Sequence, residues 1–193
     1  MIALSLLAAL QATPPLDLSA LSDSGMEQRA YLSIDERLSE RLDALASADN
    51  EETAAELASE VRSLWRQQAG PTADLLLQRG AEAREIDDVN TAWRSYDHLR
   101  TLEPGYAEGW IVSAELAIED TDWDFALEAL NQAVTLDARR YDAWALLGRA
   151  LEQAQAREAA MEAYREALRL YPLHPAAGPA LARLERELAG RAL

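Results

Sequence analysis

Carboxylates, two histidines and a complete lack of cysteine limit the chemistry open to this chain. Of its 193 residues 34 are Asp or Glu, 2 are His and none is Cys, which removes thiolate nucleophiles, disulfides and Cys-ligated metals. Asp120, Asp122 and Asp124 have the alternating spacing with which a calcium loop opens, where successive carboxylates converge on one cation. The pattern stops there. The sixth position is Phe125, where a glycine must turn, and the twelfth is Asn131, where a bidentate Glu must close the coordination shell. The expected role of this stretch is a helix–helix turn with an aspartate cap. His98 and His174 form no H-x-x-x-H pair, so no zinc site is expected within one chain. No nucleophile elbow, phosphate-cradling glycine loop or dinucleotide fingerprint occurs. Paired carboxylates could do acid–base work only in a cleft that shifts their pKa values, and no pattern specifies one. No catalytic residue, metal or cofactor is expected, and the remaining chemistry is that of a binding surface.

Such a surface must be held by secondary structure, and the composition favours one kind. Ala, Leu, Glu and Arg dominate while Val, Ile, Thr and Phe are sparse, which favours helices over a sheet. The formal charge of -16 repels phosphate backbones and anionic lipid surfaces, so neither a nucleic-acid partner nor membrane insertion is expected. The charge is uneven. Residues 71–138 carry 15 acids and 4 arginines, whereas residues 139–193 carry 7 acids and 9 arginines. An acidic middle and a basic end allow copies to pair head to tail, so self-association is a second expectation.

The chain repeats every 34 residues. Aligning Ala73, Ala107 and Tyr141 brings together Gly80, Ala114 and Gly148, then Ala92, Ala126 and Ala160, then Tyr96, Leu130 and Tyr164. Leu102, Leu136 and Leu170 coincide, and Pro104, Ala138 and Pro172 close the units. Within a unit, residues such as Trp144, Gly148 and Leu151 fall at i, i+4 and i+7, one stripe of a helix. Small residues at the middle of each helix let the two approach closely. Asp87-Asp88 and Asp120-Thr121-Asp122 offer N-caps between the helices of the first two units, and Pro104 and Pro172 stop the second helices.

This pattern resembles the tetratricopeptide repeat (TPR), a pair of antiparallel helices marked by Trp, Leu-Gly, Tyr, Ala, an aromatic, Ala and Pro. The third unit carries Trp144, Leu147, Gly148, Ala160, Tyr164, Ala167 and Pro172, with Leu151 where tyrosine is usual. The second keeps Trp110, Ala114, Ala126 and Ala133 but has Ser113 and Ala138, and the first has Leu76 in place of the Trp. The resemblance covers about residues 73 to 174. It implies an all-α, right-handed superhelical TPR solenoid with units at 73–106, 107–140 and 141–174, and a capping helix over 175–193 holding Leu181, Leu184 and Leu188. Ahead of the repeats, Ser33-Ile34-Asp35-Glu36 reads as a capping box and Asp49-Asn50 opens a second helix. Residues 33–69 are therefore expected to form a hairpin covering the first unit, either a separate cap or a degenerate fourth unit, with Leu38, Leu42, Leu45, Leu57, Val61, Leu64 and Trp65 facing inward.

The resemblance also implies where a partner binds, since first helices line the concave groove in this family. The positions that carry over are Leu77, Ala81 and Arg84 from the first unit and Glu108, Ile111, Glu115 and Ile118 from the second. The third supplies Asp142, Ala145, Arg149 and Glu152. Co-chaperones of the family clamp a C-terminal carboxylate with basic and amide residues. Here those positions hold Leu77, Ala81, Val112, Asp142 and Leu146, which does not support that specificity. Ile111 and Ile118 are expected as an exposed apolar stripe edged with Glu, suited to an apolar partner peptide with some positive charge. The implied function is a non-catalytic protein-interaction scaffold or adaptor. Residues 1–12, MIALSLLAALQA, resemble a secretory signal cleaved near Ala12, although no Lys or Arg precedes the apolar run, and 13–32 read as a disordered linker. A genuine leader implies a periplasmic protein serving cell-envelope assembly, and its absence a cytoplasmic one.

Overall fold

The structure, a computed structural model, describes residues 32–191; the leader reading, and the linker reading up to residue 31, lie outside the described residues. Among those described, nine helices and no strand occur. They are α1 (Ile34–Ala46), α2 (Glu51–Arg66), α3 (Pro71–Glu85), α4 (Val89–Leu102), α5 (Ala107–Glu119), α6 (Trp123–Leu136), α7 (Tyr141–Gln153), α8 (Arg157–Leu170) and α9 (Ala177–Arg191). Helices α3 to α8 pack as three consecutive pairs, each pair stacks on the next, and α9 packs on α8. Leu181, Leu184 and Leu188 of α9 join the cluster of Ala160, Met161, Tyr164 and Ala167.

The turn inside each pair is built the same way three times. Asp87, Thr121 and Gln155, each 34 residues from the next, hold φ of 61, 60 and 58°. The following amides, of Asp88, Asp122 and Ala156, donate to the carbonyls of Ala83, Ala117 and Leu151 at 2.8, 2.8 and 2.9 Å. This left-handed stop satisfies carbonyls that a helix end otherwise leaves without donors. Asp88 and Asp122 then cap the next helix, accepting from the amides of Thr91 and Phe125 at 3.1 and 3.2 Å. Asp120 accepts instead from Trp93 Nε1 at 2.9 Å, tying two units together.

Close approach of the paired helices depends on the glycines. A methyl group on Gly148 would meet the Tyr164 ring at 2.7 Å, and one on Gly80 would overlap the Tyr96 ring. In the second unit Leu130 replaces the tyrosine and Ala114 replaces the glycine, and both are completely buried. Trp110 and Trp144 are half-buried, and their Nε1 atoms donate to the carbonyls of Pro104 and Ala138 at 3.0 Å each. The carbonyl does this work whether the closing residue is Pro or Ala.

The N-terminal hairpin departs from expectation. Leu38, Leu42, Leu45, Val61, Leu64 and Trp65 are buried as predicted and Leu57 is half-buried, but the hairpin does not cover the first unit. Helix α2 runs along the chain segments where α5, α7 and α9 begin. Tyr106 donates its hydroxyl to the Arg66 carbonyl at 3.3 Å, and Tyr141 donates to the Ala58 carbonyl at 3.1 Å. Tyr141 and Tyr171 complete the hairpin's apolar core. The reason lies on α3. Positions that are buried in later units, Gly109, Ser113 and Leu116 on α5 and Ala143, Leu147 and Ala150 on α7, correspond to Leu75, Arg79 and Glu82, all exposed. With charge at two of three such positions, the first unit ends the stack itself and needs little cover.

Candidate functional site

The first helices of the three pairs line two clefts. One, of about 370 Å³, is bounded by Arg66, Asp74, Leu77, Gln78, Ala81, Arg84, Tyr96, Glu108 and Val112. The other, of about 520 Å³, is bounded by Glu115, Asp142, Ala145, Leu146, Arg149, Glu152, Tyr164 and His174, with Ala176, Ala180 and Arg183 from the α9 side. Nine of the eleven candidate residues fall on these walls: Leu77, Ala81, Arg84 and Glu108 in the first, and Glu115, Asp142, Ala145, Arg149 and Glu152 in the second.

Ile111 and Ile118 do not. They are 3% and 6% exposed and belong to the cluster of Ala114, Leu130, Ala143, Leu147 and Ala150. Helix α5 is the middle first helix, flanked on both sides, so residues that would be open at an end of the stack are covered by α7. The expected apolar stripe is core. The apolar lining of the clefts comes instead from Leu77, Ala81, Val112, Ala145, Leu146 and Ala180.

The cleft carboxylates are held by arginines. Arg140 Nη2 lies 2.5 Å from Glu108 and 2.7 Å from Asp142, and it is only 2% exposed. Burial works against its charge, but Asp142 and Glu108 outweigh that effect and hold the guanidinium above its ordinary value. Arg84 binds Glu115 at 3.1 Å and also Glu119. Burial pushes the Glu115 carboxyl upward against the pull of Arg84, and repulsion from Glu108 and Asp142 adds to the rise. Glu152 accepts from the Tyr164 hydroxyl at 2.7 Å and pairs with Arg183 of α9. At the centre, Glu108, Glu115, Glu119 and Asp142 share Arg84 and Arg140, while Arg66 lines the first cleft and Arg149 and Arg183 line the second. Tyr164 is shifted upward by burial and by its bond to Glu152.

Several residues of this region were not marked by the repeat pattern. Arg140 lies 4.3 Å from the Trp65 ring centroid and Tyr141 meets the same ring at a tilt, centroids 5.3 Å apart, so the hairpin and the groove share one buried cation. The signal available in the sequence was the recurrence of large planar side chains, Tyr106, Arg140 and His174, at the period of 34 shortly before α5, α7 and α9. His98 is exposed on α4, while the calcium-like aspartates are divided between a cap and an inter-unit bond. Among the described residues no group of three or more His, Asp or Glu is arranged to hold a metal ion, and no helix is long and apolar enough to cross a membrane.

No protein-family model matches the chain, and no curated protein sequence matches it. Solved structures do. The crystal structure of MamA protein is 22% identical, with 62% of this chain and 66% of that one covered and a TM-score of 0.57. The first TPR of Spaghetti (RPAP3), bound to the HSP90 peptide SRMEEVD, is 21% identical over 63% of this chain and 96% of that one, TM-score 0.60. The Sgt2 TPR domain from Aspergillus fumigatus is 20% identical over 64% and 83%, TM-score 0.60. The likeness is one of fold, and the fold of this chain is an all-α TPR solenoid.

Proposed function

We propose that this chain is a non-catalytic interaction scaffold that holds a segment of another protein along the groove formed by α3, α5, α7 and α9. The observation that carries the reading is the pair of clefts whose walls contain nine of the eleven residues that the repeat resemblance implied. The groove mixes small apolar side chains with a cluster of carboxylates, which fits a peptide that is apolar with some positive charge. It supplies no basic clamp at Leu77, Ala81, Val112, Asp142 and Leu146, so a peptide such as the SRMEEVD bound by the RPAP3 domain is a poor fit. The non-catalytic reading rests on the same geometry: Glu108, Glu115, Asp142 and Glu152 are engaged with arginines or a tyrosine rather than poised toward open space.

A randomised peptide library selected on the full chain tests this, with Ala81→Arg and Ala145→Arg variants as controls. Selected peptides should carry Lys or Arg between apolar residues and should bind each variant at least about tenfold more weakly, the loss expected when a charge fills an apolar contact. Selection of acidic C-termini would overturn the specificity, and binders indifferent to both variants would overturn the groove. Ile111→Arg is unsuitable as a control because the side chain is core. A role in cell-envelope assembly is proposed only by analogy with the repeat family, for the case that residues 1–12 are a genuine leader, and nothing in the helical region bears on it. Self-association through the acidic middle and basic end is a second reading; sedimentation at low and high salt decides it, and a monomer at both removes it.

A further inference from the structure

His174 sits where three parts of the molecule meet. Its Nδ1 accepts from the amides of Ala176 and Ala177 at 3.2 and 3.1 Å, so the ring is the acceptor at the start of α9 and carries its proton on Nε2. Its ring meets Tyr141 of α7 at 5.9 Å and Tyr171, between α8 and α9, at 5.3 Å, both edge to face, and these are the two tyrosines that seat the hairpin. Its other neighbour is the groove, where it shares a wall with Ala176, Ala180 and Arg183 of the α9 end. Aspartate, asparagine and serine are the usual caps of a helix start. A histidine does the same work only while it is neutral.

We propose that His174 is a proton-operated cap: neutral, it ties down the start of α9 and the groove wall that α9 builds, and protonated, it releases both. Adding a proton to Nδ1 removes the acceptor for two amides and places a cation at the positive end of a helix dipole. The charged groups around the ring divide. Arg62 of α2 opposes the added charge and Asp142 of α7 favours it. Glu115, Glu152, Arg149 and Arg183 line the same cleft. Burial is the largest influence and lowers the pKa below its ordinary value. The direction of the linkage follows. With the folded pKa below the unfolded one, the cap's contribution is complete above the unfolded value near 6.5 and is lost as pH falls through and below it. Glu115 acts in the opposite sense, because burial raises its carboxyl and acidification relieves it.

The effect on a partner rests on the groove reading, but the device can be tested without one. Amide exchange of the full chain, corrected for the chemical rate, is compared at pH 7.5 and 5 for the parent and for His174→Asn, which can cap but does not titrate. The parent should lose about five- to tenfold of protection in the first turns of α9 on acidification, the scale of losing a cap, while α3 and α4 change little and the variant stays flat. Nitrogen chemical shifts of the His174 ring at pH 7.5 should show the Nε2–H tautomer. Unchanged protection in the parent, an equal loss in His174→Asn, or the opposite tautomer would each overturn the proposal.

Discussion

Thr121 holds a β-branched side chain at φ 60°, a region that costs non-glycine residues roughly 1–2 kcal/mol. Asp87 and Gln155 occupy the same place in their units, so the strain belongs to the turn and not to one accident of sequence. Thr121→Gly should raise stability by about 0.5–1 kcal/mol, the relief less the added freedom of the unfolded chain, measured by chemical denaturation. The glycines inside α3 and α7 are different, because each accepts the ring of a tyrosine sixteen residues on. The residue twelve places before each ring adapts to it: Arg84 and Glu152 bond Tyr96 and Tyr164, and Ile118 shares a cluster with Leu130. Gly148→Leu should therefore cost about 1–3 kcal/mol or more by overpacking. A neutral result by thermal denaturation would mean the Tyr164 ring moves aside at no cost.

At the scale of elements, the hairpin α1–α2 and the repeats meet on Arg140. Its guanidinium is enclosed by Glu108, Asp142 and the Trp65 ring, and removing a buried partner leaves carboxylates without their counter-charge. Arg140→Ala should cost about 3 kcal/mol and should loosen the hairpin before the repeats. The check is tryptophan emission in denaturant, read beside a Trp65→Phe variant: a separate early transition that vanishes with Trp65 is expected, and one cooperative transition would contradict the assignment. This junction was the least legible part of the sequence. The three units announced themselves because Gly80, Ala92, Pro104 and their successors recur along one helix pair, a local signal. The hairpin seat is made of residues at helix ends that pair with α2 across long stretches of chain, and no helix-pair pattern specifies such a partner. The two misplaced groove residues have a related origin. Carrying a position from one unit to the next treats all first helices alike, whereas Ile111 and Ile118 lie on a helix with neighbours on both sides.

At the scale of the whole molecule, the stack must begin somewhere without exposing a core face. Helix α9 ends it with Leu184 buried and Glu185, Arg186 and Glu187 outward. Helix α3 begins it with Arg79 and Glu82 where later units bury Ser113, Leu116, Leu147 and Ala150, yet Leu75 and Ile86 remain 64% and 77% exposed. The end is therefore poised between a polar cap and a stacking face, and two charges hold it on the soluble side. Replacing them, Arg79→Leu with Glu82→Leu, joins Leu75 and Ile86 into one apolar surface of the size that drives association. Sedimentation velocity over a range of concentrations should show the double variant assembling where the parent at the same salt does not, with helical content unchanged. Assembly should persist at high salt, because the new contact is apolar and the charge of -16 opposes it. A double variant that sediments like the parent would mean that the outer face of α3 lies too far from the geometry of an interior stack to accept a neighbour. The hairpin's choice of the tyrosine-lined edge would then need a cause other than the polarity of that face.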